Sequence, residues 1–339
     1  MIENSKTYSY GPVPSRRLGK SLGINNIPAK VCTYSCVYCQ VGKTTRKQHD
    51  RRFFYDPDNI FQDVQTRLTK TFRAFETVDY LTFVPDGEPT LDINLGKEIR
   101  LMKTLGVPVG VITNSSLIWR DDVREELGQA DWVSLKIDSL EENIWKKINR
   151  PHNHLHFSQI LNGIQAFAKS FSGRLATETM LVNGCNDNDD GMRETADFIR
   201  NLKPYRAYLT TPTRPPTEDW VRGVDEDVLN RMFHIFSAKV KQVEYLIGYE
   251  GNAFAFTGDI ESDLLSITAV HPMRKEAVDA LLSRAGSSWQ VVDQLVDREY
   301  LAKTCYDGHD FYLRKFIPKN TGPDLLSLFK PTHDGLNPE

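Results

Sequence analysis

Seven short apolar runs separated by segments of helical periodicity constrain this chain more than any other feature. The strand-like runs are Leu22 to Ile27, Val78 to Val84, Val107 to Thr113, Trp132 to Ile137, Leu175 to Val182, Ala207 to Thr211 and Val243 to Ile247. Amphipathic periodicity predicts helices over Asn59 to Phe75, Leu95 to Leu105, Asp121 to Gln129, Phe157 to Phe171, Gly191 to Leu202 and Glu226 to Lys239. Repeated alternation of this kind requires parallel strands with right-handed crossovers. Six units are too few for a closed eight-unit barrel, so the expected fold is α/β, an open partial (β/α)6 TIM-like barrel with its chemistry at the strand C-terminal ends.

From Asp259 the pattern changes to a helix over Met273 to Ser283 and a second over Trp289 to Leu301. A hairpin signal at Tyr306-Asp307-Gly308 follows, flanked by Thr304 and Phe311 to Leu313. Helix, helix and β-wing resemble a winged-helix module. The expected organisation is a barrel over residues 1–258, a small winged-helix-like domain over 259–317 and a loose tail, rich in Pro, Gly and Asn, over 318–339. The chain is 40% hydrophobic and 26% charged, and no apolar run approaches the roughly 18 residues of a membrane span. The polar start, without an apolar h-region, points to the cytoplasm. Lysine and arginine number 42 against 45 acids, which excludes the global basic field of nucleic-acid packaging proteins.

Of five cysteines, Cys32, Cys36 and Cys39 fall on the loop after the first strand, spaced C-x3-C-x2-C, while Cys185 and Cys305 are isolated. No fourth ligand follows at the spacing of a tetrahedral zinc site. Three thiolates on a [4Fe-4S] cube would instead leave one iron open to another molecule. Cys32-Thr33-Tyr34-Ser35-Cys36-Val37-Tyr38-Cys39 resembles the motif of the radical S-adenosylmethionine superfamily, including aromatic Tyr38 before the last cysteine. The resemblance implies one [4Fe-4S] cluster and S-adenosyl-L-methionine as cofactors, with a reductant such as flavodoxin or ferredoxin. In that family the open iron chelates the amino and carboxylate groups of S-adenosylmethionine. An electron from the cluster then splits it to a 5′-deoxyadenosyl radical, which abstracts hydrogen from the substrate.

Other segments carry the resemblance further. Asp86-Gly87-Glu88-Pro89-Thr90 is similar to the family's Gly-Gly-Glu-Pro element, with Asp86 in place of the first glycine. It implies a turn whose carbonyls and Glu88 face the rim and receive the methionine ammonium. By the same analogy Asn114, Ser116 and Asp138, after the third and fourth strands, hold the carboxylate and ribose, Ser116 and Asp138 being favoured; such residues are equally ordinary caps and turn formers. Val182-Asn183-Gly184-Cys185-Asn186-Asp187 resembles the segment along the adenine, with Val182 on the ring and Gly184 allowing close approach. Glu178 either faces the site or is a buried ion-pair partner. Lys136, Arg150 and Arg214 are candidate substrate-side residues.

Gly11-Pro12-Val13-Pro14-Ser15-Arg16-Arg17-Leu18-Gly19, Ile148-Asn149-Arg150-Pro151, Thr211 to Pro216 and His271-Pro272-Met273-Arg274 resemble the group related to the tRNA wyosine-base synthases, the 4-demethylwyosine synthase-like proteins. Those carry upstream cysteines for a second cluster. No cysteine precedes Cys32 here, so the implied protein is a single-cluster oxidoreductase of open substrate: small molecule, peptide or protein, or RNA. A tRNA- or nucleotide-modifying enzyme and an iron-sulfur redox sensor using the winged helix are the competing readings. Asp293, Asp297 and Glu299 against Arg298 on the second C-terminal helix argue against sequence-specific DNA. The basic run Lys43, Arg46, Lys47, Arg51 and Arg52 reads first as solvated surface, second as a phosphate site. His152, His154 and His156 alternate on one extended face, and a surface loop is the expectation over a metal site.

Overall fold

The computed structural model describes residues 7–248, 251–252 and 254–315. The expected tail lies outside them. An eight-stranded sheet runs in sequence order: β1 (Ser9–Ser15), β2 (Gly19–Ile24), β3 (Tyr80–Phe83), β4 (Val109–Thr113), β5 (Trp132–Lys136), β6 (Arg174–Met180), β7 (Arg206–Thr210) and β8 (Val243–Leu246). Strand β1 is antiparallel to β2, and every later neighbour is parallel. Crossovers are α1 (Pro57–Arg73), α2 (Leu95–Lys103), α3 (Asp121–Leu127), α4 (Glu142–Asn149) with α5 (Phe157–Ser170), α6 (Asp189–Leu202) and α7 (Glu226–Ser237). This is the open six-unit partial barrel, its ends frayed by one to three residues from the sequence expectation.

Strand alternation assigns the two faces of the sheet. Leu22, Ile24, Leu81, Phe83, Val109, Val111, Val133 and Leu135 face the helices, packing on Ile60, Val64, Leu95 and Ile99. The inner face carries Trp132, Ala176 and Tyr208 at one end. Ser21 and Thr82 hydroxyls, 2.7 Å apart, and the paired Lys136 and Glu178 share that face. A polar interior toward the strand C-terminal ends is what a reaction site requires of a barrel.

Three elements escape sequence periodicity. In β1, Gly11, Pro12 and Pro14 mask a strand that tolerates them because it lies at the sheet edge. Helix α4 is short and ends with Arg150 in the left-handed region (φ 45°). Helix α8 (Ile260–Thr268), capped by the Asp259 carboxylate, is the third. Beyond it lie β9 (Met273–Arg274), α9 (Lys275–Arg284), α10 (Trp289–Asp297), β10 (Leu301–Tyr306) and β11 (His309–Arg314), the strands forming an antiparallel sheet ordered β9-β11-β10. Met273 therefore begins a strand rather than a helix, and Leu301 belongs to the hairpin, because the chain turns through Glu299 (φ 60°). The core of this region, with Leu264, Val278, Leu281, Val292 and Leu295, also includes Tyr10 and Val13 of β1 and Phe254. None of the described helices is long and apolar enough to cross a membrane.

Helix α2 buries Glu98 completely beside Asp92, with Asn26 Nδ2 donating to Oε2 at 3.1 Å. Burial, then the Asp92 charge, pushes the Glu98 carboxyl well above the carboxylate range. A raised folded pKa contributes stability that is complete below the unfolded value and is lost as pH rises through the folded one. Glu98→Gln is therefore expected to melt several degrees above the parent at pH 8, the gap closing toward pH 5; calorimetry at the two pH values checks this.

Candidate functional site

The three cysteines sit on the loop after β2, pinned to its surroundings by backbone bonds. Lys30 N–H donates to Asp86 O (2.8 Å), Glu88 N–H to Val31 O (3.2 Å), Val37 N–H to Ile148 O (2.9 Å), Gln48 N–H to Cys32 O (3.0 Å) and His152 N–H to Thr33 O (2.9 Å). Gly87 is required by close approach, since a Cβ there would lie 2.0 Å from Val31 O. Asp86 is paired with Lys30 at 2.7 Å, and burial still lifts its carboxyl to about 6. The aspartate in the first-glycine position thus has its own counter-ion, a partner invisible to the motif.

Glu88 is 1% exposed, and its carboxylate is spent on protein donors. Oε1 accepts from Thr90 N–H (3.1 Å), Thr90 Oγ1 (2.6 Å) and Thr113 Oγ1 (2.7 Å), and Oε2 from Asn114 N–H (2.8 Å). The side chain staples the turn after β3 to the rim end of β4, and Pro89 is buried beside it. Asn114 Nδ2 donates to Thr33 Oγ1 (2.8 Å) and Cys32 Sγ (3.5 Å), and Ser116 Oγ donates to the same threonine (2.7 Å). Fully buried Thr33, not singled out from sequence, therefore binds the cluster loop to the end of β4.

A second network surrounds Asp138, 4% exposed. Its Oδ1 accepts Met180 N–H (2.9 Å), and its Oδ2 accepts Asn149 Nδ2 (2.8 Å) and the Tyr38 hydroxyl. Asn149 also donates to Cys36 Sγ at 3.5 Å. Asn186 donates to Asp138 O (2.7 Å) and Met180 O (2.8 Å) and accepts Val182 N–H (2.8 Å). Val182 is completely buried with Val37, Tyr38 and Ile148, so it supports the cysteine loop from beneath. Gly184 (φ 68°) closes an exposed turn in which its N–H donates to Asp187 Oδ2 at 2.8 Å; open space surrounds its Cβ position.

The candidate substrate-side cations are all partnered. Lys136 Nζ lies 2.7 Å from Glu178 Oε1 and 5.0 Å from the Tyr38 ring centroid. Arg17 Nε donates to Glu178 Oε2 at 2.8 Å, so Glu178 is the buried ion-pair partner of two cations. Burial opposes its ionisation, yet Arg17 and Lys136 hold it down at about 2. Arg150 pairs with Glu218, and Arg214 reaches Gln40 Oε1 (3.0 Å) and His271 Nε2 (3.2 Å). In the basic run, Arg51 is nearly buried against Asp122 and Glu126, so it is structural, not a phosphate ligand. A cleft at the rim brings Asn114, Lys136, Asp138 and Asn149 together. A larger cavity of about 250 Å³, lined by Arg17, Trp132, Arg174 and Arg206, lies at the strand N-terminal ends, away from the cysteines.

All five cysteines are free thiols. Burial pushes all three clustered thiols up, Cys36 to about 12; Glu88 adds to the rise at Cys32, Cys39 to that at Cys36 and Asp86 to that at Cys39. Lys30 and Lys136 oppose the rise only at Cys39, and the amides of Asn114 and Asn149 are placed to donate to the sulfurs of Cys32 and Cys36. The donor set fits a thiolate-bound iron-sulfur cluster, whose properties respond to hydrogen bonds at sulfur.

Residues 26–199 match the model of the Radical SAM superfamily. Over 310 residues, 91% of this chain and 96% of the relative, the sequence is 46% identical to a UPF0026 protein of Methanocaldococcus jannaschii. It is 29% identical over 170 residues, 45% of this chain and 57% of the relative, to an S-adenosylmethionine-dependent nucleotide dehydratase of Flammeovirga pacifica. The fold matches the structure of TYW1 with a lysine-pyruvate adduct bound, with a TM-score of 0.51 and 16% identity over 66% of this chain and 76% of that one. Cysteine loop, strand-end turns, partial barrel and sequence likeness agree, and the chain belongs to the radical SAM superfamily of enzymes.

Proposed function

We propose that this protein is a single-cluster enzyme in which Cys32, Cys36 and Cys39 hold one [4Fe-4S] cluster and the adjoining rim binds S-adenosylmethionine. The observation that carries the reading is the hydrogen bonding of two of the three thiols by Asn114 and Asn149, side chains anchored at the ends of other elements. When bound, the cluster supplies the single electron that cleaves S-adenosylmethionine reductively, which lets the product radical take hydrogen from a substrate. The turn at Gly87 offers a backbone carbonyl to the methionine ammonium, while Glu88 and Pro89, whose carbonyl accepts from Asn26 Nδ2 and Asp92 N–H, fix that turn. Asn114 lies at the rim beside the cofactor carboxylate and ribose, Ser116, Tyr38 and Asp138 hold the cysteine loop rigid, and Gly184 with the chain after Val182 borders the adenine. Arg214 is the substrate-side cation; Lys136 and Arg150, spent on Glu178 and Glu218, act as positioning residues.

The division into a barrel to residue 258 and a winged-helix-like domain from 259 is part of this proposal, supported by helices α8 to α10 and their three-stranded sheet. So is a cytoplasmic reductant of the flavodoxin or ferredoxin class. A nucleotide substrate is the second reading, favoured by likeness to a protein named as a nucleotide dehydratase.

Anaerobic reconstitution is expected to give about four irons per chain. Eight irons, or iron retained when all three cysteines are replaced by alanine, would contradict the single-cluster assignment. The reduced protein should convert S-adenosylmethionine to 5′-deoxyadenosine, and Cys36→Ala should abolish this. An intact, reduced cluster that forms no 5′-deoxyadenosine, even with nucleotides present, would favour a redox sensor. Glu88→Gln turns an acceptor into a donor facing buried N–H and O–H groups, and should cost of order 1.5–3 kcal/mol of stability. Chemical denaturation of the cluster-free chain measures it; an unchanged midpoint with weakened S-adenosylmethionine binding would instead place Glu88 in contact with the cofactor.

A further inference from the structure

Beside the cysteine loop the structure brings His49 to two of the three alternating histidines, His152 and His154. His49 follows the short parallel pairing of Val31–Cys32 with Arg46–Lys47, while His152 and His154 follow Arg150-Pro151. One ring nitrogen from each lies within 4.8 Å of the other two. His156, the third member of the alternating set, is outside the group and stands at the N-terminus of α5.

Two of the spacings match a coordination shell, and the His152 nitrogen lies within 4.8 Å of the other two imidazoles. Zinc-nitrogen bonds of about 2.0–2.1 Å place tetrahedral ligand atoms about 3.3–3.4 Å apart. His154 Nδ1 lies 3.3 Å from His49 Nε2, and Asp50 Oδ1 lies 3.3 Å from the same nitrogen. The rings are packed, His49 on His152 at 4.5 Å and edge-on to His154 at 4.7 Å. The backbone is fixed on both sides, since His152 N–H donates to Thr33 O and Lys47 Nζ donates to the carbonyls of Arg150 (3.2 Å) and Pro151 (3.1 Å).

We propose that His49, His152 and His154 form a binding site for a divalent cation of tetrahedral preference, zinc by its chemistry, with Asp50 or water as fourth ligand. The ion clamps the segment after Lys47 to the segment after Arg150. Those segments receive the Cys32 and Thr33 carbonyls through Gln48 and His152, so the clamp steadies the cysteine loop from outside. The site shares no ligand with the cysteine trio.

The test is zinc titration of the anaerobic, iron-loaded full chain against a chromophoric chelator, with zinc and iron counted after gel filtration. A full-length chain with Cys32, Cys36 and Cys39 changed to alanine is titrated alongside, which removes thiol binding whatever the cluster proves to be. The expected result is about one zinc per chain in both. His49→Gln, His152→Gln and His154→Gln should each weaken it by more than the roughly 10- to 100-fold typical of outer-shell changes, and His156→Gln should leave it unchanged. Zinc should also raise the melting temperature of the parent chain but not of His49→Gln. No zinc beyond the thiol-bound fraction, equal affinity in the three variants, or equal loss in His156→Gln would overturn the site and leave a hydrogen-bonded surface cluster.

Discussion

The carboxylate of Asp138 is a negative charge taken out of water, and the site's geometry follows from the donors it must collect. A buried carboxylate is tolerated only when hydrogen-bonded or paired. Here the donors are the Tyr38 hydroxyl, the Asn149 amide and the Met180 N–H, so the cysteine loop, the end of α4 and the end of β6 all converge on the end of β5. Glu88 does the same for β3, β4 and the turn between them. Two buried carboxylates thereby position two of the three thiols without contacting them. Cys32 and Cys36 accept from Asn114 and Asn149, each of which also belongs to one of the two carboxylate networks.

Most strands were legible because both faces of a barrel strand are covered, so they read as apolar runs bounded by turns. Strand β1 was not, since proline and glycine are tolerated only by its edge position, a property of the sheet and not of the segment. The C-x3-C-x2-C spacing and the position of each motif after a strand were equally legible, because parallel β/α topology sends every such loop to one rim. What did not follow was the direction of side chains. Glu88 and Val182 are motif residues that turn inward, and the partners that turn them, Thr113, Asn186 and the underside of the cysteine loop, lie on other elements. Thr33, Asn149 and His49 carry no individual role in the sequence because each acquires its meaning from a contact 81 to 113 residues away along the chain, for which the local sequence carries no period or cap.

The C-terminal elements bear on the same rim by a different route. Helix α8 and its neighbours share a core with Tyr10 and Val13, so they rest on the antiparallel edge strand rather than on a linker. Arg284 also joins Glu76 at 2.6 Å, tying α9 to the chain just after α1. From that support, Tyr306 Oη donates to Pro212 O at 3.3 Å and His271 meets Arg214. Arg214 in turn holds Gln40, the residue after Cys39, and Thr217 Oγ1 donates to Cys39 O at 2.9 Å. The loop after β7 is therefore located from both sides, by the cysteine loop and by the C-terminal hairpin. A shift of the hairpin large enough to move Pro212 must stretch or break contacts that end at Cys39 and Gln40, because the proline-rich chain between them, Pro212 to Pro216, has few torsions with which to absorb it. The C-terminal elements are thus tied, through Pro212 and Arg214, to the same loop that contacts the cysteines.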